Sequence, residues 1–173
     1  MIYLRRTGFA LFLVALMSAT TWGQAKSSPP IANDSLLNIS GEIERPLKLT
    51  AADLAKLPRR TVNAKDHDGK ETTFEGVELG EVLKLAGVKF GEEMRGKSLA
   101  LFLVVEAADN YRAVFALPEL DHGFTDRVIL LADKRDGKAL AAAEGPLRIV
   151  VPDEKRQGRW VRQVISLIIR RAQ

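Results

Sequence analysis

Apolar residues recur along this chain mainly in short runs of strand length, either alternating with polar residues or fully apolar. Such runs predict half-buried and buried β-strands, because successive side chains point to opposite faces of a sheet. The predicted strands cover residues 36–44, 61–65, 71–77, 99–105, 111–115, 128–132, 147–151 and 161–169. About eight strands with only short helices predict a mixed, mostly antiparallel, β-rich α+β fold in a single domain.

Two short helices and one tight hairpin complete the predicted pattern. Thr50 is a good N-cap for a helix over residues 51–56. A second helix is expected over residues 79–86, where apolar residues recur close to helical spacing. The pair Asp68-Gly69 lies between two predicted strands and favours a β-hairpin at that point.

The first 25 residues follow a different pattern, that of a secretory signal. Arg5 and Arg6 precede an apolar run over residues 8–17, and small residues then lead to a cleavage position before Lys26. Ten apolar residues are about half of the roughly 20 that a membrane-spanning helix needs. We therefore expect an exported protein, periplasmic or secreted, with no stable membrane span once the signal is cleaved.

A polar, proline-containing segment over residues 26–35 predicts a flexible leader, so that the folded domain is expected over residues 36–173. Loss of the signal removes two basic residues and no acid, and the formal net charge falls from +4 to +2. Nucleic-acid binding needs basic residues clustered on one face, whereas this small charge is spread through mixed signs. No nucleic-acid partner is expected.

The chain contains no cysteine. This absence excludes a disulfide scaffold, a thiolate zinc site, an iron–sulfur cluster and a cysteine nucleophile. A methionine thioether is the only sulfur that this protein could offer to a metal.

Residues 91–98 match the pattern G-x-x-x-x-G-K-[ST] of a phosphate-binding loop. That loop requires a buried strand before it and a helix after it, whose N-terminal amides meet the phosphates. Here a predicted strand over residues 99–105 follows instead. We therefore interpret the segment as an ordinary loop.

The two histidines, His67 and His122, each lie in a polar, turn-like stretch beside acidic residues. They are far apart in sequence and show no metal-binding or metalloprotease spacing, and no serine-hydrolase elbow is present. We predict solvated histidines in turns, no catalytic residue and no protein ligand to a metal.

Four cations cluster near the end of the chain, at Lys155, Arg156, Arg159 and Arg162, with Trp160 among them. Such a cluster could bind an anionic group such as a phosphate or pyrophosphate. The alternative is a solvated hairpin whose arginines extend into water.

Six segments, in this order, resemble the molybdopterin-binding domain of the sulfite oxidase family. They cover residues 49–58, 74–88, 109–111, 130–140, 145–152 and 160–162. The second resembles the family's G-V-x-L-x-x-V-L-x-x-A-G-V segment, and the fifth, G-P-L-R-I-V-V-P, resembles its G-x-P-L-R-x-V-V-P run. The likeness extends from about residue 36 to residue 170.

The resemblance implies a mixed α+β domain that binds a molybdopterin-type cofactor through the pterin's pyrophosphate and dithiolene. Arg148, Arg159 and Arg162 match positions where the family uses cations or nearby backbone to hold the anionic tail. Tyr111 and Gly145 lie in matching segments and are the other expected cofactor-binding residues. The chain also departs from the family: Glu144 stands near a position that often holds His or Asn, and Asp136 replaces the Asn of an N-G pair.

In the family a cysteine thiolate ligates the metal, and the resemblance places it within residues 61–70, most naturally near Asn63-Ala64. That window holds no sulfur here. No oxygen or carbon side chain at Ala64 can replace the thiolate electronically, so sulfite-oxidase-type oxygen transfer is not expected.

Two interpretations remain open. In one, an exported protein still binds a molybdopterin-type cofactor or a similar anion, with activity that is weak, altered or dependent on a redox or envelope protein partner. In the other, the scaffold is a cofactor-free binding or interaction module, and the basic hairpin is its surface.

Overall fold

The computed structural model describes residues 35–173. The predicted signal over residues 1–25, and all but the last residue of the leader over residues 26–35, lie outside this range. The described chain contains ten strands and two α-helices. The strands are β1 (Leu37–Gly41), β2 (Leu47–Leu49), β3 (Arg59–Lys65), β4 (Glu71–Glu78), β5 (Leu101–Ala107), β6 (Arg112–Ala116), β7 (Leu130–Arg135), β8 (Lys138–Ala139), β9 (Arg148–Val150) and β10 (Val164–Arg171). The helices are α1 (Ala51–Ala55) and α2 (Leu79–Leu85).

The strands form two sheets. The first sheet has the order β2-β1-β10-β5-β6, and the second has the order β3-β4-β7-β8, with β9 also paired to β7. Every pairing is antiparallel except that of β1 with β10. The predicted mixed, mostly antiparallel α+β fold is therefore confirmed.

One continuous apolar core joins the two sheets and α2. Leu103 and Leu167 contribute to it from the first sheet, Phe74 and Ile149 from the second, and Leu83 from α2; all are fully buried. Burial of each such side chain is worth about 1.5–3 kcal/mol. This core holds β7 and β9 in place, and two of the charged residues described below, Arg135 and Arg148, lie at their ends.

Local sequence signals explain several boundaries. The Thr50 hydroxyl accepts a hydrogen bond from the Asp53 N–H at 3.2 Å, and the Asp53 carboxylate accepts one from the Thr50 N–H at 3.1 Å. This capping box confirms Thr50 as the start of α1. Hydrogen bonds from the Thr50 side chain, from Lys56 and from the Thr50 backbone lower the pKa of Asp53 to about 2.

Several strand boundaries differ from the sequence predictions, and the two-residue strand β8 was not predicted. Strand β2 was not predicted, because three residues after Pro46 are too short a run to show alternation. Strand β10 begins at Val164, three residues later than expected, since Gln163 adopts a left-handed backbone with φ of 49°. Short 3-10 turns at Gly91–Glu93 and Gly96–Ala100 precede β5, so the helix that a phosphate-binding loop needs is absent from this described segment, in agreement with its interpretation as an ordinary loop.

Among residues 35–173, no helix combines the length and the apolar character needed to cross a bilayer.

Candidate functional site

Arg148, on β9, is completely buried, although it carries a full charge. Its Nη2 donates a hydrogen bond to Asp66 Oδ1 at 2.9 Å, and its Nη1 donates one to Glu144 Oε2 at 2.8 Å. Asp66 directly follows the last residue of β3, and Glu144 lies in the loop before β9. Both Nη groups are thus paired with carboxylates of the chain itself, whereas the buried Arg148 Nε has no hydrogen-bond partner among the described residues.

Arg135, at the end of β7, joins the same group. Its Nη1 lies 2.9 Å from Asp66 Oδ2 and donates to Glu144 Oε1 at 2.9 Å. Two cations and two anions therefore balance. We call Asp66, Arg135, Glu144 and Arg148 the ion-pair cluster.

Aromatic rings enclose the cluster from the core side. The Arg148 guanidinium carbon lies 5.2 Å from the Phe74 ring centroid and 5.4 Å from that of Trp160. The two rings meet edge to face at 5.9 Å, and the Trp160 indole donates to the Val151 carbonyl at 3.0 Å. The rings provide a low-dielectric wall that strengthens the ion pairs, and their faces attract the guanidinium directly.

The charge balance fixes the ionisation of Asp66. Burial raises the pKa of the Asp66 carboxyl, but hydrogen bonds from Arg148 and the His67 N–H, with the charges of Arg148 and Arg135, outweigh burial. The net effect holds the pKa of Asp66 below its ordinary value. Asp66 is therefore a carboxylate at neutral pH.

A pocket of about 690 Å³ opens beside the cluster. Ala64 and Asp66 contribute to its wall, and three exposed cations, Lys65, Lys155 and Arg156, line it. The remaining lining residues are Asn63, His67, Glu71, Pro152, Glu154 and Gln157. Within the described residues none of the three cations has an ion-pair partner, and we call this space the cationic pocket.

A second pocket of about 440 Å³ shares His67 and Gln157 with the cationic pocket. Two of the expected cofactor-binding residues, Tyr111 and Arg162, meet there. The half-exposed Tyr111 donates its hydroxyl hydrogen to the Gly158 carbonyl at 2.6 Å. We call this space the tyrosine pocket.

The other expected residues lie elsewhere. Arg159 is half-buried over the Phe115 ring, 4.4 Å from its centroid, and is paired with Glu119 at 3.1 Å and with Glu154. Gly145 is buried in the loop before β9, and its N–H donates to the Ala141 carbonyl at 2.8 Å. The structure therefore brings Tyr111 and Arg162 together. Arg148 and Arg159 instead each form ion pairs with carboxylates of the chain.

Sequence reasoning identified neither Asp66 nor Lys65 as site residues. Glu144 carried a signal, because it departs from the family pattern next to the Arg148 segment. Asp66 carried none beyond its place in the window expected to hold the thiolate. His67 is exposed in the turn after β3, as predicted, while the exposed His122 has its Nε2 2.6 Å from Glu78 Oε2.

The residues present do not fit the metal end of the cofactor that the resemblance implies. The chain has no cysteine, and Ala64 presents a methyl group where the thiolate is expected. Within residues 35–173, no three His, Cys, Asp or Glu side chains are grouped so that they could hold a metal ion. The three cations of the cationic pocket suit the anionic end of such a ligand, although the acidic residues Asp66, Glu71 and Glu154 line the same pocket.

Comparison with known proteins agrees with this architecture. The family model described as "Oxidoreductase molybdopterin binding domain" matches residues 26–172. Among solved structures, the sulfane dehydrogenase SoxCD from Paracoccus pantotrophus is similar, with a TM-score of 0.62 and 25% sequence identity. The match covers 80% of this chain and 39% of that one, so this chain corresponds to well under half of its structural relative. No curated protein matches significantly. The chain therefore belongs to the oxidoreductase molybdopterin-binding domain family, related to the sulfite oxidase family, as its motifs predicted.

Proposed function

We propose that this chain is an exported molybdopterin-binding-domain protein that does not perform sulfite-oxidase-type oxygen transfer and that binds an anionic ligand in the cationic pocket. The observation that carries the proposal is that residues 61–70, where the family's metal-ligating cysteine is expected, contain no sulfur. Ala64 is buried there, and the nearby Asp66 carboxylate is engaged by Arg148 and Arg135.

Loss of the thiolate removes more than one metal ligand. Thiolate coordination tunes the electronics of the metal, and a methyl group supplies neither charge nor a lone pair. Asp66 is no substitute, because each of its oxygens already lies 2.9 Å from a guanidinium nitrogen. This supports a member of the family whose chemistry differs from oxygen-atom transfer.

The cationic pocket supports ligand binding. Its volume lies within the range of small-molecule sites. Lys65, Lys155 and Arg156 supply ammonium and guanidinium groups that suit phosphate or carboxylate oxygens. Either the anionic part of a molybdopterin-type cofactor or a similar small anion fits this chemistry.

Export is the part of the proposal that rests on sequence alone. The basic, apolar and small-residue regions of residues 1–25 support a cleaved signal. An exported protein would meet redox or other envelope proteins as partners. Cell fractionation followed by N-terminal sequencing tests this, and we expect a mature chain that begins at Lys26.

The test of the cofactor content is elemental analysis of the mature protein, expressed with an ample supply of molybdenum cofactor. We expect far less than one molybdenum per chain and no oxygen-transfer activity. Stoichiometric molybdenum together with a pterin fluorophore released on denaturation would overturn the proposal that this chain lacks sulfite-oxidase-type oxygen transfer.

The test of the anion pocket is calorimetric titration with pyrophosphate at low salt. Lys155→Ala/Arg156→Ala should weaken binding by about tenfold, since the two exposed charge contacts are together worth about 1–2 kcal/mol. The matched control is Lys48→Ala/Arg170→Ala, which removes the same charge from exposed positions on the first sheet. Equal binding by the two double variants would refute a specific pocket.

A second candidate, a cofactor-free binding or interaction module, is supported by the ion-pair cluster. Because Arg148 already has two carboxylate partners, the fold needs no external anion to neutralise it. This candidate predicts an unchanged melting temperature for protein made in cells that cannot synthesise molybdopterin. A melting temperature that depends on the cofactor would exclude it.

A further inference from the structure

The ion-pair cluster has the contact pattern of an oxyanion held between two arginines. Glu144 accepts from Arg148 at 2.8 Å through one oxygen and from Arg135 at 2.9 Å through the other. Asp66 repeats this arrangement, with one oxygen 2.9 Å from Arg148 and the other 2.9 Å from Arg135. Each carboxylate therefore bridges the same two guanidinium groups.

We propose that Arg135 and Arg148 form an anion site that the chain fills from within, with the Glu144 and Asp66 carboxylates occupying the places that a small external oxyanion would take. This goes beyond the proposed function. It explains why the family-like Arg148 does not require a ligand, and it leaves an external ligand to cations outside the cluster, such as those that line the cationic pocket.

Burial explains why the site must be filled. Arg148 is completely buried, and a buried guanidinium without a counter-charge is strongly unfavourable. Both acids come from loops rather than from the strands that carry the arginines. Carboxylates fixed to the chain neutralise the pair at every ligand concentration.

The side chains also indicate where an external anion would enter. Glu144 and Arg135 keep 15% and 29% of their side-chain surface exposed, whereas Arg148 keeps none. Truncation at position 144 therefore opens the site to solvent on the Glu144 side. The vacated volume corresponds to the Cγ and carboxylate atoms, which have the composition of acetate.

The experiment measures thermal unfolding of the mature Glu144→Ala variant in sodium acetate and in sodium chloride at equal ionic strength. We expect acetate to raise its melting temperature by roughly 3 °C more than chloride, as for a ligand present well above its dissociation constant. Wild-type protein should show no difference between the salts, because its own carboxylate fills the site.

The matched control is Asp133→Ala, which breaks the Arg59–Asp133 pair on the same sheet, where neither side chain is deeply buried. Acetate and chloride should affect it equally. Equal effects of the two salts on Glu144→Ala, or an acetate effect of the same size on Asp133→Ala, would overturn the proposal.

Two further measurements cover other outcomes. If Glu144→Ala does not fold in chloride, the refolding yields in acetate and in chloride are compared instead. A higher yield in acetate supports the proposal, and equal yields contradict it. Glu144→Gln fills the volume, so acetate should not rescue it, and rescue would contradict a filled site. Pyrophosphate binding to wild-type protein is measured separately, so failure of the cationic pocket and failure of this inference give different results.

Discussion

Arg148 Nη2 donates to Asp66 Oδ1 at 2.9 Å, a bond between residues that are 82 positions apart in the chain. It fastens the turn after β3 to β9. The next residue, His67, lines both the cationic pocket and the tyrosine pocket. The ion-pair cluster thus both neutralises a buried charge and anchors the residue before His67, which lines the two pockets.

Replacement of Arg148 by methionine should be strongly destabilising. Arg148→Met leaves Asp66 and Glu144 with only the single guanidinium of Arg135, and removal of one member of a buried ionic group costs about 3–5 kcal/mol. Urea unfolding gives the free energy of unfolding. Arg148→Met/Asp66→Asn/Glu144→Gln, which removes the unpaired charges as well, should recover part of the loss. A triple variant less stable than the single one would contradict this account.

Stability should fall in acid because of Asp66. Its pKa is lower in the folded protein than in the unfolded chain, so its contribution is complete above the unfolded value of about 3.9 and is lost as the pH falls through the folded value. The melting temperatures of wild type and Asp66→Asn should therefore differ at pH 7 and converge below about pH 4. A difference that stays constant down to pH 2 would rule out this linkage.

Gly76 should not tolerate even one added methyl group. A Cβ there would lie 2.1 Å from the Leu131 carbonyl oxygen, at the register shift between β4 and β7. Gly76→Ala should cost about 2–3 kcal/mol in chemical unfolding, since the strands must separate to admit it. At Gly158 a Cβ meets nothing within 4 Å, and Gly158→Ala should lie within about 0.5 kcal/mol of wild type.

Arg159 and Arg162 should behave differently although both are expected cofactor-binding residues. Arg159→Ala removes pairs with Glu119 and Glu154 and the contact with Phe115, a loss of about 1–2 kcal/mol in unfolding free energy. Arg162 is exposed, so Arg162→Ala should change stability by less than about 0.5 kcal/mol. Similar losses for both variants would show that Arg159 is not the structural member of the pair.

Local and periodic signals in the sequence were enough for most of the fold. These signals depend on neighbours a few residues away. The structure confirms the N-cap predicted at Thr50 and the hairpin predicted at Asp68-Gly69. Whether an arginine of the site is free to bind a ligand depends instead on ion pairs between residues that are far apart in the sequence. No local pattern shows that Arg148 meets Asp66, or that Arg159 meets Glu119. The sequence therefore singled out Arg148 and Arg159 as cofactor-binding candidates but not the carboxylates that pair with them.

Strand β10 lies between β1 and β5, yet it follows every other strand of the first sheet in the chain. Until it is in place, β1–β2 and β5–β6 are separate hairpins with open edges. The apolar faces of both hairpins depend on Leu167 and Ile169 from β10 to close the core. The first sheet therefore forms as a single cooperative unit. Its parallel β1–β10 pairing joins the first strand of the described chain to the last, so neither hairpin can complete the sheet before β10 is in place.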